Sequence, residues 1–236
     1  METKIIQSDF DQLAVLDTDV WDHNSYYQNY LLKQIPPRCE KILDIGCGTG
    51  SFSRQLSQYA KSVVALDLSP VMIEIARQRS ASHTNIEYLV ADVLTWDFPK
   101  EQFDCVVSIA TLHHLPFESI IQQMKSALKD NGIIMVLDLY EPESIRDKLM
   151  NLLAVPFHMF LKLKNTGRIR EPKEVREAWA KHGEHDTYLP VSEVHRMCQD
   201  MLPGASIKKH LLWRYSIVWQ KQVVSEDGNT AAQPQL

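Results

Sequence analysis

The chain is poor in the features that mark a specialised environment. Its four cysteines, Cys39, Cys47, Cys105 and Cys198, are scattered, and none forms a C-x-x-C pair. That spacing argues against a disulfide scaffold or a thiolate zinc site and points to a reducing compartment. Neither sign of charge dominates: 25 Lys and Arg stand against 30 Asp and Glu, a formal net charge of -5. A polyanion would feel no general attraction, so no nucleic-acid partner is expected. The N-terminal METKIIQSDFDQL lacks the basic start and apolar run of a secretory leader. The most apolar later stretch, LMNLLAVPFHMFLKL at 149–163, is too short to span a bilayer and carries Asn151, Pro156 and His158. A cytoplasmic chain without a transmembrane segment is the expectation.

What is present begins with a repeated theme. Short β-branched apolar runs at 41–45, 62–67, 86–91, 103–109 and 133–139 alternate with helical patterns at 51–59, 70–80 and 117–128. Such alternation predicts parallel βαβ units, hence an open α/β sheet with helices on both faces. VVAL, CVVSI and IIMVL are apolar at consecutive positions, as strands covered on both sides must be. Residues 9–35 read as one or two aromatic-rich helices, stopped by Pro36 and Pro37. Residues 143–185 carry no strand signal and read as a helical insertion, apolar first and charged later. A helix at 191–202 and two β-rich runs, 205–211 and 215–220, close the sheet, antiparallel at its edge. The last residues are polar and small, a disordered tail. With 236 residues, 44% of them hydrophobic, the chain can bury one substantial core.

Three of the eight glycines fall within ILDIGCGTGS, residues 42–51, at the end of the first strand. Glycines at 46, 48 and 50 permit positive φ angles and let a ligand approach the backbone. In open α/β sheets that is where ligands bind. The spacing is G-x-G-x-G, with Ser51 where a dinucleotide fingerprint wants its third glycine one place later. Asp44 would also lie beside a pyrophosphate, an unfavourable pairing; it suits a ligand carrying an ammonium and a sulfonium. Asp67 closes the second strand, where a carboxylate can take both ribose hydroxyls, a feature that NAD-binding proteins share. Asp92 closes the third strand and can accept from an adenine amine, with Val93 alongside, or cap a helix.

In order, ILDIGCGTG, ALDLSP, ADVLTWDF, FDCVVSIATLHHL and LKDNGIIMVLD resemble the class I S-adenosylmethionine-dependent methyltransferases. The nearest likeness is to the ubiquinone/menaquinone methyltransferase-like small-molecule group. The resemblance covers residues 40–140 in register and extends through the last two strands. It implies a Rossmann-like seven-stranded sheet with the last strand antiparallel and a helical insertion after the fifth strand. S-adenosylmethionine is the implied cofactor. Asp44, Gly46, Cys47, Gly48 and Gly50 would line its methionine end. Asp67 would hold the ribose with Leu68 and Met72 nearby, Asp92 and Val93 the adenine, and Ala110 would touch it from below.

The resemblance divides the chain into an N-terminal helical lid (1–37), a cofactor-binding core (38–142 and 186–223), a helical substrate cap (143–185) and the tail (224–236). Methyl transfer from a sulfonium needs orientation and exclusion of water more than proton transfer. The tandem His113 and His114 lies where the acceptor should meet the methyl group, as a general base or as a structural loop. Trp21, His23, Tyr26 and Tyr27 would close the site from the lid, or pack on the sheet. Phe157 and Phe160 would meet an apolar acceptor, or form the insertion's own core. The basic residues Lys162, Lys164, Arg168 and Arg170 could meet a substrate anion, yet interleaved glutamates favour a solvated face. S-I-A-T stands where amine methyltransferases of bases and glutamine amides carry N/D-P-P-Y/F, which disfavours that chemistry. No acid cluster suggests a metal. The expectation is therefore an enzyme that methylates a small organic molecule. The alternatives are a carrier-bound or macromolecular acceptor and, from another class, an NAD-dependent oxidoreductase.

Overall fold

Alternate residues of the inner strands serve opposite faces of one sheet, and both faces are apolar. Leu43, Val106, Ile134 and Val136 belong to one core cluster, while Ile42, Cys105, Val107, Met135 and Leu137 belong to the other. The computed structural model describes residues 3–16, 21–184 and 186–222. Its strands are β1 (Lys41–Ile45), β2 (Ser62–Asp67), β3 (Ile86–Val90), β4 (Phe103–Ile109), β5 (Leu128–Leu139), β6 (Ser206–His210) and β7 (Arg214–Gln220). They form a seven-stranded sheet in the order β3-β2-β1-β4-β5-β7-β6. The first five strands are parallel, and β7 runs antiparallel to both β5 and β6.

The helices are α1 (Thr3–Leu16), α2 (His23–Leu32), α3 (Ser51–Leu56), α4 (Pro70–Arg79), α5 (Phe117–Ala127), α6 (Ile145–Thr166), α7 (Lys173–Gly183) and α8 (Val191–Met201). On one face, α5 and α8 press Phe117, Ile120, Ile121, Val191 and Val194 against the sheet. On the other, α2, α3 and α6 contribute Leu31, Phe52, Leu56, Ala154 and Leu161. Helix α1 lies against α4 and α7. Local chemistry marks several starts. Asp22 and Ser25 form a reciprocal capping box on α2, Ser144 and Asp147 another on α6, and Ser69 caps α4 ahead of Pro70.

As expected, the last strand is antiparallel and the two final strands end the sheet, β7 between β5 and β6 and β6 at the edge. One strand start departs widely from the sequence reading. Strand β5 starts at Leu128 rather than 133, because LKDNG continues the ladder as an irregular extension. Its register against β4 shifts between Phe103 and Cys105, and Asn131 takes a left-handed φ of 61°. The expected tail, 224–236, lies outside the described residues.

Candidate functional site

The carboxyl ends of β1, β2 and β4 open into a cavity of about 670 Å³, within the usual span for small-molecule sites. Its floor is the glycine turn. Gly46 and Cys47 donate their N–H groups to the Leu66 carbonyl at 2.8 and 2.9 Å, fastening the turn to β2. All three glycines have positive φ, but for different reasons. A Cβ at Gly46 would stand 2.0 Å from the Thr111 hydroxyl oxygen, and one at Gly50 would stand 2.4 Å from the Tyr88 hydroxyl. At Gly48 a Cβ would meet nothing within 4 Å, so its backbone faces open space.

Two carboxylates flank that open backbone. Asp44 is 2% exposed and accepts from the Ser53 hydroxyl at 2.6 Å. Burial raises its carboxyl to about 7, against the smaller lowering effect of Ser53. Asp67 accepts from the Gly48 N–H at 2.8 Å and the Ser69 N–H at 2.9 Å, and burial still lifts it to about 6. Buried carboxylates raised in this way favour a cationic or hydroxyl-donating ligand, which would restore the ionised form. Asp92 accepts from the Leu94 N–H at 2.9 Å, holding the turn after β3 while lining the cavity. The floor therefore fits a ligand with a cationic end, a diol and a flat base, the donor set S-adenosylmethionine presents.

Of the residues read from sequence, Asp44, Gly46, Cys47, Gly48, Asp67, Leu68, Met72, Asp92, Val93, Ala110, His114 and Trp21 line the cavity. Gly50 does not; Tyr88 and Ala76 occupy its side of the turn. His113 does not either. Its N–H donates to Asp138 at 2.9 Å and its Nδ1 lies 2.7 Å from the same carboxylate, which ties the ring to β5. Of the lid residues, Trp21 reaches the cavity, and the others follow the packing alternative. His23 packs with His158 and Trp213, its ring 4.4 Å from that of His158, and burial pushes it down to about 3. Tyr27 is in the core and donates its hydroxyl to the Leu211 carbonyl, whereas Tyr26 is 42% exposed. Phe157 packs beneath α2, and Phe160 points outward at 62% exposure. None of these five lines the cavity among the described residues.

The sequence reading missed the apolar wall. Ile6, Phe10, Leu13 and Leu16 of α1 line the cavity together with Val175 and Trp179 of α7. The helical spacing of the α1 residues was a usable signal, but it gives no partner. Also unseen was the grouping of His113, His114 and Asp186, whose nitrogen and oxygen atoms lie within 4.8 Å of one another. His114 Nδ1 is 3.4 Å from Asp186 Oδ1, and Phe10 meets the His114 ring edge-on at 5.5 Å. Burial and the adjacent His113 push the His114 imidazole well below its ordinary range, outweighing Asp186. The ring is therefore neutral near pH 7.

Residues 42–132 match the model of a family described as a methyltransferase domain. An uncharacterized methyltransferase of Mycobacterium tuberculosis H37Rv is 27% identical over 208 residues, covering 86% of this chain and 98% of the relative. A malonyl-[acyl-carrier protein] O-methyltransferase of Paenibacillus sp. is 41% identical over 102 residues, 40% of this chain and 37% of that relative. Among solved structures, the N-methyltransferase NodS of Bradyrhizobium japonicum, in complex with S-adenosylhomocysteine, superposes with a TM-score of 0.61 at 15% identity. That alignment covers 92% of this chain and 98% of NodS.

Proposed function

We propose that this chain, a class I S-adenosylmethionine-dependent methyltransferase, transfers its methyl group to a small and largely apolar organic acceptor. One observation carries the acceptor class: a cavity whose floor is polar and whose wall, from α1 and α7, is apolar. Asp44 meets the ammonium of the cofactor, Asp67 its ribose hydroxyls, and Asp92 with Val93 its adenine. When bound, the cofactor supplies a methyl group on a sulfonium, which departs as a thioether without needing a proton. The chain's task is then to orient the acceptor atom and exclude water, which the α1 and α7 side chains accomplish.

His114 faces that space from the 3-10 turn after β4. An imidazole held neutral and weakly basic accepts a hydrogen bond well but deprotonates an alcohol poorly. Its role is therefore to orient the acceptor. His113 is a positioning residue, anchored through Asp138. The cap formed by 1–37 and 143–185 belongs to the same reading, since Leu16, Thr166 and Trp179 all reach the cavity.

A labelled-methyl assay over hydroxy-aromatic, amine and carboxylate acceptors, each free and carrier-bound, tests the acceptor class. Transfer to free apolar acceptors is the expected result. Transfer confined to carrier-bound carboxylates would replace this reading with the second one, which the similarity to the malonyl-carrier enzyme favours. Calorimetric titration with S-adenosylmethionine and NAD tests the cofactor floor; binding of NAD alone would overturn it.

A further inference from the structure

Helix α6 is apolar on its outer side. Ile145, Leu149, Leu152, Leu153, Phe160 and Leu163 are 78%, 57%, 69%, 63%, 62% and 49% exposed. At about 100° per residue they fall within one stripe about 120° wide along a helix about 33 Å long. The opposite side is the anchored one. Ala154 and Leu161 are buried on the sheet, Asp147 pairs with Lys209 at 2.6 Å, and Lys162 pairs with Glu171 at 2.6 Å. A surface helix ordinarily turns such a stripe inward, and a continuous apolar surface of this kind marks an interaction site.

Charge decides what covers it. Exposed Arg146 and Lys164 border one side of the stripe, and exposed Lys148 borders the other. The helix's only acid is Asp147, buried and already paired. Two copies packed face to face would set these cations against one another with no exposed acid on either helix. The undescribed stretch 223–236, VVSEDGNTAAQPQL, brings three large aliphatic side chains, too few to cover the stripe. An anionic lipid surface answers both features, taking the apolar stripe into the acyl boundary and the cations among its headgroups. The helix lies on such a surface and does not cross it: among the described residues no helix is long and apolar enough to span a membrane.

We propose that α6 is an interfacial helix that docks the enzyme on anionic bilayers. The site connects to the surface. Thr166, at the end of α6, and Arg168 after it line the cavity, as does Trp179, which is 55% exposed. An apolar acceptor dissolved in the bilayer would enter beside the docked helix. That delivery rests on the function proposed above, whereas the docking does not.

Sedimentation of the full chain with vesicles tests the docking without cofactor or acceptor. Vesicles of phosphatidylcholine mixed with phosphatidylglycerol should pellet the protein, pure phosphatidylcholine should pellet far less, and added salt should weaken the effect. The double variant Leu149→Glu/Leu152→Glu should lower the bound fraction about tenfold or more, since two exposed leucines lose their burial. Its unchanged S-adenosylhomocysteine titration would report an intact fold. Arg146→Glu/Lys148→Glu should abolish the preference for anionic lipid. Failure of the parent chain to pellet with anionic vesicles would overturn the proposal. So would vesicle binding unchanged by the leucine variant, or a dimer in ultracentrifugation that the same variant dissolves. Loss of transfer to apolar acceptors with docking intact would instead count against the proposed function.

Discussion

Gly46 and Gly48 are two residues apart in one turn, yet substitution should fail at each for a different reason. Gly46→Ala adds a Cβ inside the Thr111 side chain and keeps a left-handed φ of 73°. The backbone alone costs about 1–2 kcal/mol, and the overlap adds about 1–3 kcal/mol, so chemical denaturation should show a clear loss of stability. Gly48→Ala carries only the backbone cost, about 1–2 kcal/mol, and its methyl enters open space at the cavity floor. There the loss should appear mainly in S-adenosylhomocysteine affinity, measured by calorimetry. The neighbouring carboxylates make a prediction about pH. Asp44 and Asp67, raised to about 7 and about 6, bind protons in the ligand-free fold that the unfolded chain releases near 4. Their contribution to stability is full below about 3.8 and is lost as pH rises through 6 and 7. A cationic ligand favours the ionised forms, so the rise in Tm on adding S-adenosylmethionine should grow between pH 5.5 and 8. In Asp44→Asn that growth should largely vanish; a thermal-shift series at several pH values checks both.

At the scale of elements, His113 hangs from β5 rather than from its own turn. His113→Ala should let the 3-10 turn sag and raise KM for the acceptor more than it lowers kcat. His114→Asn, which retains a polar group facing the cavity, should keep more activity than His114→Leu. Steady-state kinetics of the three variants separates positioning from contact with the acceptor. Much of this framework was readable from the chain. Strands at 41–45, 62–67 and 103–109 coincide with β1, β2 and β4 because doubly buried strands leave unbroken β-branched runs bounded by polar turns. Asp44, Asp67 and Asp92 were readable because the carboxyl ends of such strands are where ligands sit. Asn131 and Gly132 hid the start of β5, since a left-handed residue inside a ladder looks like a turn. The Asp138 anchor and the approach of Asp186 to His114 were unreadable. They depend on register and on a connection between elements far apart in sequence, which no local pattern records. The outward stripe of α6 misled in another way, because apolar periodicity reveals a face but not which way it points.

For the molecule as a whole, the cavity is roofed by α1 and α7, which also lean on each other. Lys181 of α7 reaches Asp9 of α1 at 3.2 Å. A ligand seated on the glycine turn would lie against that roof. Amide exchange should therefore slow across 3–16 and 173–183 when S-adenosylhomocysteine binds, while β4 and β5, already deep in the sheet, should change little. Exchange mapped by mass spectrometry checks this, and protection confined to the glycine turn would count against a closing roof. The enclosed position of β7 matters before any ligand arrives. During synthesis, the outer edge of β5 must wait for residues 214–220, because its antiparallel partner lies far downstream of it in the chain. Until then the nascent chain carries an open, apolar strand edge of the kind that pairs with a stranger. An early stop codon before β7 should therefore produce a chain that aggregates or is degraded, although every described residue lining the cavity precedes it.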